Sequence, residues 1–126
     1  MNPAYRTAVF SIQGELPPDG FSIVTAYNPE GQVTDPSTNQ SADIDLRSAI
    51  QASGETPARI TGMSPDRSHK EPGWSVRNHE QALRLARKFR QIALYRVDSG
   101  SLWLVETKTG KAEELGSWKN FLAPQT

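Results

Sequence analysis

The apolar run Phe21–Thr25, which ends shortly before an Asn28-Pro29 pair, constrains the fold of this chain more than any other segment. Such a run favours a β-strand, and its nearly continuous apolar character is typical of a strand covered on both faces. The Asn-Pro pair favours a turn, which ends the strand. Thr25, Tyr27 and Asn28 then stand at the carboxyl edge of the strand, where open α/β layers usually keep their sites. We therefore expect a functional site at this edge.

The 126 residues fit a single domain that spans residues 1–126. Hydrophobic residues make up 36% and charged residues 22%, a composition typical of a folded rather than a disordered chain. Cysteine is absent, which excludes disulfides, thiolate catalysis and cysteine-ligated metals. The N-terminal segment lacks a basic stretch followed by a long apolar core, and no apolar run is long enough to span a membrane. We expect a cytoplasmic protein without membrane partners.

The charges are unevenly distributed although the formal net charge is zero. Residues 1–57 carry a net charge of −5, residues 58–97 carry +6, and the remainder carries −1. A basic central segment is compatible with an anionic partner such as a nucleotide or nucleic acid. The alternative is that acidic and basic segments lie against each other. Overall neutrality disfavours a general phosphate-backbone binder, so we predict no nucleic-acid partner.

Period-two patterns and turn signals predict six strands and two helices. The predicted strands cover residues 4–12, 21–25, 58–63, 74–76, 92–97 and 101–106, with a further strand possible at 111–115 and a turn-rich connection at 14–20. The order β-β-α-β-β-α-β-β predicts an α+β fold, a two-layer sandwich. Two helices would pack on one face of a mainly antiparallel or mixed sheet of about five to six strands.

Each predicted helix carries a start signal and one apolar face. Asp35 or Ser37 caps the first helix, and Asn78 caps the second with Gln81 three residues on, a capping-box pattern. Gly54 is placed to end the first helix. The buried faces are predicted to consist of Ala42, Leu46, Ala49 and Ile50 in the first helix, and of Ala82, Leu83, Ala86 and Phe89 in the second.

Polar residues at element ends are the candidate site. Asn28 follows the second strand, Asn39 lies at the start of the first helix, and Glu71 with His69 precedes the fourth strand. The asparagine amides are suited to orienting a ligand, and Glu71 is suited to acting as acid, base or cation partner. The alternative for each asparagine is turn or cap chemistry.

Signatures of metal and cofactor binding are missing. His69 and His79 are ten residues apart without metal-ligand spacing, and the glycines match no phosphate-loop pattern. We predict no metal and no cofactor. A basic patch late in the second helix, Arg84, Arg87, Lys88 and Arg90, complements the negative end of that helix and needs no ligand to explain it.

Taken together, these segments resemble an uncharacterised bacterial family, the domain of unknown function 3293. The resemblance spans roughly residues 21–105 and implies that Asn28, Asn39, Glu71 and Gln91 share one site. Its motifs are Thr25-Ala26-Tyr27-Asn28-Pro29, Asn39 with Leu46, Gly62, Glu71-Pro72 before a strand ending at Val76, and Ala82-x-x-Leu85-Ala86-x-x-Phe89-x-Gln91-x-Ala93.

The chain departs from the family pattern at several positions. The family usually has Trp in place of Tyr27, Glu in place of Thr38, and Arg where Ala42 and Asp43 stand. If that Glu or Arg were catalytic, this chain would be impaired.

Three functions stay open. The first is a binding module for a polar or anionic small molecule near Asn28, Asn39 and Glu71, with Gln91 reading it and Tyr27 or Trp74 stacking on it. The second is a hydrolase or transferase in which Glu71 is general base and His69 assists. The third is a protein or nucleic-acid interaction module that uses the basic second helix. Binding is favoured because no activated nucleophile is visible, but whether the protein is an enzyme, and its oligomeric state, stay open.

Overall fold

The structure is a computed structural model that describes residues 1–18 and 20–124, so that Asp19 of the predicted turn-rich connection lies outside it. The strands are β1 (Val9–Gln13), β2 (Phe21–Thr25), β3 (Arg59–Met63), β4 (Lys70–Val76), β5 (Ala93–Asp98), β6 (Ser101–Glu106) and β7 (Ala112–Ser117). The helices are α1 (Pro36–Ala52) and α2 (His79–Lys88), with short 3-10 turns at Pro3–Arg6, Pro29–Gly31 and Trp118–Phe121. No helix in the described ranges is long and apolar enough to cross a membrane.

The helix boundaries follow from their caps. The Asp35 carboxylate accepts the Thr38 N–H at 3.0 Å, and Pro36 occupies the first turn of α1, where its missing N–H costs nothing. Gly54 takes φ +90° directly after α1, a conformation that glycine adopts without a steric penalty. The Asn78 side chain accepts the Gln81 N–H at 2.9 Å. The predicted caps Asp35 and Asn78 are therefore confirmed.

All seven strands form one antiparallel sheet in the order β1-β3-β4-β2-β5-β6-β7. The predicted α+β class is confirmed, but the strand number was underestimated, and the sheet is a curled half-barrel rather than the flat layer of a sandwich. The physical reason is that the sheet is apolar on both faces while the helices cover only one. The uncovered face buries its side chains by bending around them.

The helix-covered face holds the first core cluster. Val24, Trp74 and Leu94 from the sheet pack with Leu46 of α1 and with Leu85 of α2. The predicted buried face of α2 omitted Leu85, which is 7% exposed, whereas the predicted Leu83 packs against this cluster but is only partly buried. The two leucines differ by a 200° rotation around the helix, so a face read from spacing is easily assigned to the wrong one.

The concave face holds the second cluster, in which residues from both ends of the chain meet. The Phe10 ring contacts Tyr95 at 5.0 Å and Trp118 at 5.4 Å between ring centroids. Leu122 forms an isolated bridge with Phe10, and the Ala123 N–H donates to the Phe10 carbonyl at 2.8 Å. The C-terminal segment thus links edge strand β1 to the other end of the sheet and holds the curl.

Two predicted strands begin four or five residues away from their first residues in the structure. The predicted strand 4–12 begins with a 3-10 turn, because Asn2 caps the Ala4 N–H at 2.9 Å and Pro3 favours a turn start. β4 begins four residues earlier than predicted, at Lys70. A proline is unusual within a ladder because it has no N–H to donate, yet the register places Pro72 opposite Thr61 between β3 and β4.

Candidate functional site

A cavity of about 400 Å³ lies between the concave face of the sheet and the N-terminal turn Pro3–Arg6. Because side chains alternate along a strand, each central strand sends every second residue into it. The inward pairs are Ile23 and Thr25 of β2, Ile60 and Gly62 of β3, Glu71 and Gly73 of β4, and Ala93 and Tyr95 of β5. The wall is therefore apolar around Ile23 and Ile60 and polar around Glu71.

The loop after β2 forms the rim of the cavity and is fixed by two asparagines. Asn28 adopts a left-handed conformation with φ +49°. Its N–H donates to Asn39 Oδ1 at 2.9 Å, and Asn39 Nδ2 donates back to Asn28 Oδ1 at 3.0 Å and to the Thr34 carbonyl at 3.2 Å. Asn39 is 5% exposed and does not line the cavity. It supports the loop from behind and does not reach a ligand there.

Gln91 ties the same loop to the end of α2. Its Nε2 donates to the Tyr27 carbonyl at 3.1 Å and to the Phe89 carbonyl at 3.1 Å. Gln91 and Asn28 both line the cavity, as does Glu71. The structure thus brings Asn28, Glu71 and Gln91 to one cavity, with Asn39 bonded directly behind Asn28.

Glu71 is the central ionisable group of the cavity. Its side chain is 27% exposed, and burial raises the pKa of its carboxyl above the usual glutamate range. Two neighbours act in the opposite direction: the His69 ring, 3.9 Å away, and the Asn28 side chain, which hydrogen-bonds to the carboxylate. Burial outweighs both, so the negative charge of Glu71 is incompletely compensated.

Tyr5 and Tyr95 complete the polar side of the cavity and were not predicted from the sequence. The Tyr95 hydroxyl donates to the Tyr5 carbonyl at 2.6 Å. Burial raises the pKa of both phenols, and the charge of Glu71 raises them further, which places all three groups in one electrostatic neighbourhood. Strand alternation puts Tyr95 on the same face as Ala93, but the sequence carried no signal that this face encloses a cavity.

The two aromatic residues predicted to stack on a ligand lie elsewhere. Trp74 is on the helix-covered face, where its ring lies 3.7 Å below the Arg59 guanidinium and its Nε1 donates to the Asp43 carbonyl. Its position follows from its neighbours in β4, because Glu71 and Gly73 point into the cavity and Trp74 must point away. Tyr27 contributes its carbonyl to the bond with Gln91, and its ring is not part of the cavity wall.

The histidines are separated by the fold. His69, 64% exposed, stands beside Glu71 at the cavity, whereas His79 Nδ1 lies 2.8 Å from Ser22 Oγ below α2. Burial, followed by the nearby Arg96, lowers the pKa of His79, while Asp98 raises it. Within the part of the chain that the structure describes, His, Asp and Glu side chains form no group of three suited to a metal ion.

The basic patch of α2 is partly engaged within the chain. Arg87 Nε donates to the Thr107 carbonyl at 3.1 Å, and Arg90 pairs with Glu30 at 2.7 Å. These contacts supply internal partners for two of the four cations, as the intramolecular alternative expects.

A wider groove of about 900 Å³ lies between the connection before β2 and the neighbouring ends of α1 and α2. It is more open to solvent than the concave-face cavity. Its Glu55 carboxylate already accepts the Arg77 N–H at 3.0 and 3.2 Å. We regard the smaller cavity as the better site because it combines enclosure with an incompletely compensated charge.

Comparison with known families bears on the same region. The model of the family described as "Protein of unknown function (DUF3293)" matches residues 24–94, more than half of the chain. The chain belongs to this family. The resemblance seen in the sequence is thereby confirmed. No curated protein and no solved structure matches the chain.

The DUF3293 segment contains part of the cavity but not all of it. Asn28, Asn39, Glu71 and Gln91 lie within the matched residues. Tyr5 and Tyr95 lie outside them. The cavity as described here is therefore built from the DUF3293 segment together with elements on both sides of it.

Proposed function

We propose that this protein is a small-molecule-binding domain whose ligand occupies the concave-face cavity near Asn28 and Glu71. The observation that carries the proposal is a partly open cavity of about 400 Å³ with one apolar and one polar wall. Ligand sites in proteins are of this size and combine a mainly apolar lining with a few placed polar groups. On the sequence grounds given above, we propose that this binding takes place in the cytoplasm.

The charges of the residues that line the cavity restrict the class of ligand that it can bind. The described residues that line the cavity include Glu30 and Glu71 but no lysine or arginine. An anion would meet the carboxylate of Glu71 without a lysine or arginine side chain to compensate the repulsion, at a cost that grows with burial. We therefore restrict the proposal to polar ligands that are neutral or cationic, and no longer include the anionic ligands that the sequence left open.

A thermal-shift screen against a library of metabolites tests the proposal on three proteins. Gly62→Val adds a β-branched side chain beside Glu71. At position 62 a Cβ would stand 3.4 Å from the Phe10 ring, a contact that a small shift can accommodate. Thr61→Val, on the same strand with its side chain on the other face, is the matched control.

We expect at least one compound to raise the melting temperature of the wild type and of Thr61→Val but not of Gly62→Val. A ligand at about 100 times its Kd stabilises the folded state by about 2.7 kcal/mol, which is well within reach of the measurement. A library without a stabilising compound, or one whose stabilising compounds act equally on Gly62→Val, would refute binding at this cavity.

A hydrolase or transferase activity is the second candidate, supported by one observation. A carboxyl whose pKa is raised by burial is suited to general acid–base chemistry near neutral pH, and His69 lies 3.9 Å away to assist. A panel of ester, amide and phosphoester substrates tests it. Turnover that Glu71→Gln abolishes while the protein stays folded would support this candidate, and turnover unchanged in Glu71→Gln would remove Glu71 from it.

A further inference from the structure

We infer that the cavity selects organic ammonium ions, that is, small molecules carrying a primary amine on a compact apolar body. The inference rests on the proposed binding function and specifies the chemical class of the ligand. Three features of the described residues point to it: the charge balance, the hydrogen-bonding groups left available, and the space beside Glu71.

The charge balance favours a cation. Of the two carboxylates that line the cavity, Glu30 is paired with Arg90 at 2.7 Å. Glu71 forms no ion pair with a lysine or arginine among the described residues. Within the described part of the chain it lies 3.9 Å from His69, whose ring is charged only when protonated. A partly buried carboxylate of this kind is stabilised by a cation supplied from outside.

Several polar side chains of the wall have their protons engaged within the protein and keep oxygen acceptors. The Tyr95 hydroxyl donates its proton to the Tyr5 carbonyl at 2.6 Å, and the Thr25 hydroxyl donates its proton to the Pro72 carbonyl at 2.7 Å. Gln91 Nε2 donates to two carbonyls, so Oε1 is the polar atom of this side chain that remains available to a ligand. Glu71, Tyr95 and Gln91 therefore offer oxygen acceptors, and a primary ammonium group offers three donors and no acceptor.

The cross-strand neighbour of Glu71 has no side chain, and the Phe10 ring lies beside that position. Gly62 of β3 stands directly opposite Glu71 of β4 in the antiparallel ladder. Side chains at such paired positions normally lie in contact, so a glycine leaves one side of the carboxylate accessible from the cavity. An amine nitrogen can occupy that space, with its apolar body against Phe10, Ile23 and Ile60.

Other cationic ligands fit less well. A metal ion needs several converging protein ligands, and the described residues form no group of three suited to one. A quaternary ammonium lacks the N–H groups that the acceptors require, so the inference is specific to amines that carry protons.

Three probes matched in length test the inference: hexylamine, 1-hexanol and hexanoate. They are titrated into the wild type, Glu71→Gln, Gly62→Val and Glu114→Gln, with binding followed by NMR chemical-shift changes. Glu114 is an exposed carboxylate on β7, so its variant removes one negative charge outside the cavity. We expect hexylamine to bind the wild type at least about tenfold more tightly than either other probe, the factor typical of one charge-assisted hydrogen bond.

Each variant should act on this preference in its own way. Glu71→Gln should reduce hexylamine affinity to that of 1-hexanol while leaving 1-hexanol unchanged. Gly62→Val should weaken the binding of both hexylamine and 1-hexanol, and Glu114→Gln should weaken the binding of neither. One outcome is that 1-hexanol or hexanoate binds as tightly as hexylamine and that Gly62→Val abolishes this binding. The cavity then binds ligands without selecting amines. The proposed function then stands and the inference fails. No binding of hexylamine, or binding unaffected by Glu71→Gln, also refutes the inference, whereas the metabolite screen decides the proposed function separately.

Discussion

At the scale of single residues, Glu71 gives the clearest expectation about pH. Burial raises its folded-state pKa, so its protonated form is favoured in the folded protein. The stability that this preference for protonated Glu71 contributes is fully present below the pKa of the unfolded chain, about 4.3. It is lost as the pH rises through the pKa of the folded protein. Ionised Glu71 therefore lowers stability at neutral pH.

Glu71→Gln should accordingly be more stable than the wild type at pH 7, with the difference shrinking towards pH 4. Denaturant unfolding at a series of pH values measures it, and Glu114→Gln serves as the control with no such trend. A variant that is less stable than the wild type at pH 7 would mean that the carboxylate makes a net favourable contact within the protein.

Asn39 should matter for stability more than for ligand contact. Its side chain makes three hydrogen bonds to Asn28 and Thr34, and it is 5% exposed. Asn39→Ala leaves those groups without partners, which should cost about 1–3 kcal/mol. The exposed Asn120→Ala should cost under about 0.5 kcal/mol. Hydrogen exchange at the Asn28 amide, which donates to Asn39 Oδ1, should quicken in Asn39→Ala alone, and unchanged exchange there would argue against this role.

The asparagines show what residue patterns can and cannot predict. An Asn-Pro pair after a strand, and an Asn near a helix start, predicted that Asn28 and Asn39 lie at element ends. The sequence could not indicate that the Asn39 side chain would form its hydrogen bonds with the loop after β2. That outcome depends on the start of α1 lying against the loop that follows β2, which is a tertiary contact without a local signal.

At the scale of elements, the two leucines of α2 provide a matched comparison. Leu85 is almost fully buried in the first core cluster, whereas Leu83 packs only against its edge. Leu85→Ala should cost about 2–5 kcal/mol, and the chemically identical Leu83→Ala under about 2 kcal/mol. Denaturant midpoints of the two variants test this, and equal losses would mean that α2 is rotated relative to the described packing.

Elements with strong local signals were predicted well, and those set by tertiary contacts were not. The caps at Asp35 and Asn78 defined both helices because cap chemistry is local. β4 extends to Lys70 across Pro72 because β3 pairs with it along its length, and pairing between strands leaves little trace in the sequence of either one.

At the scale of the whole molecule, the curl of the sheet is the feature that the sequence did not predict. Period-two alternation says which side chains share a face, but not how far the sheet bends. The bend depends on Phe10, Tyr95 and Trp118, which lie far apart in the chain and meet on the concave face. The cavity depends on the same three aromatic residues, because a flat sheet would leave Glu71 and Tyr95 on an open surface.

Trp118 is the residue on which closure of the half-barrel depends most. Its ring contacts Phe10 at 5.4 Å and Phe21 at 6.1 Å, joining an edge strand to a central one. Trp118→Ala should cost about 3 kcal/mol, and Trp118→Phe, which keeps an aromatic ring, under about 1.5 kcal/mol. Trp103, half-buried on β6 and outside both core clusters, is the matched control, and Trp103→Ala should cost less than Trp118→Ala.

The closure can be read out locally as well as globally. In Trp118→Ala, exchange of the Ala123 amide, which donates to the Phe10 carbonyl, should quicken, while the β2–β4 ladder stays protected. Hexylamine binding, if observed in the wild type, should weaken in the same variant because the cavity wall is no longer held around Glu71. An Ala123 amide that exchanges as slowly as in the wild type would show that the sheet holds its curl without the C-terminal segment. The shape of the cavity would then have to be attributed to the strands themselves.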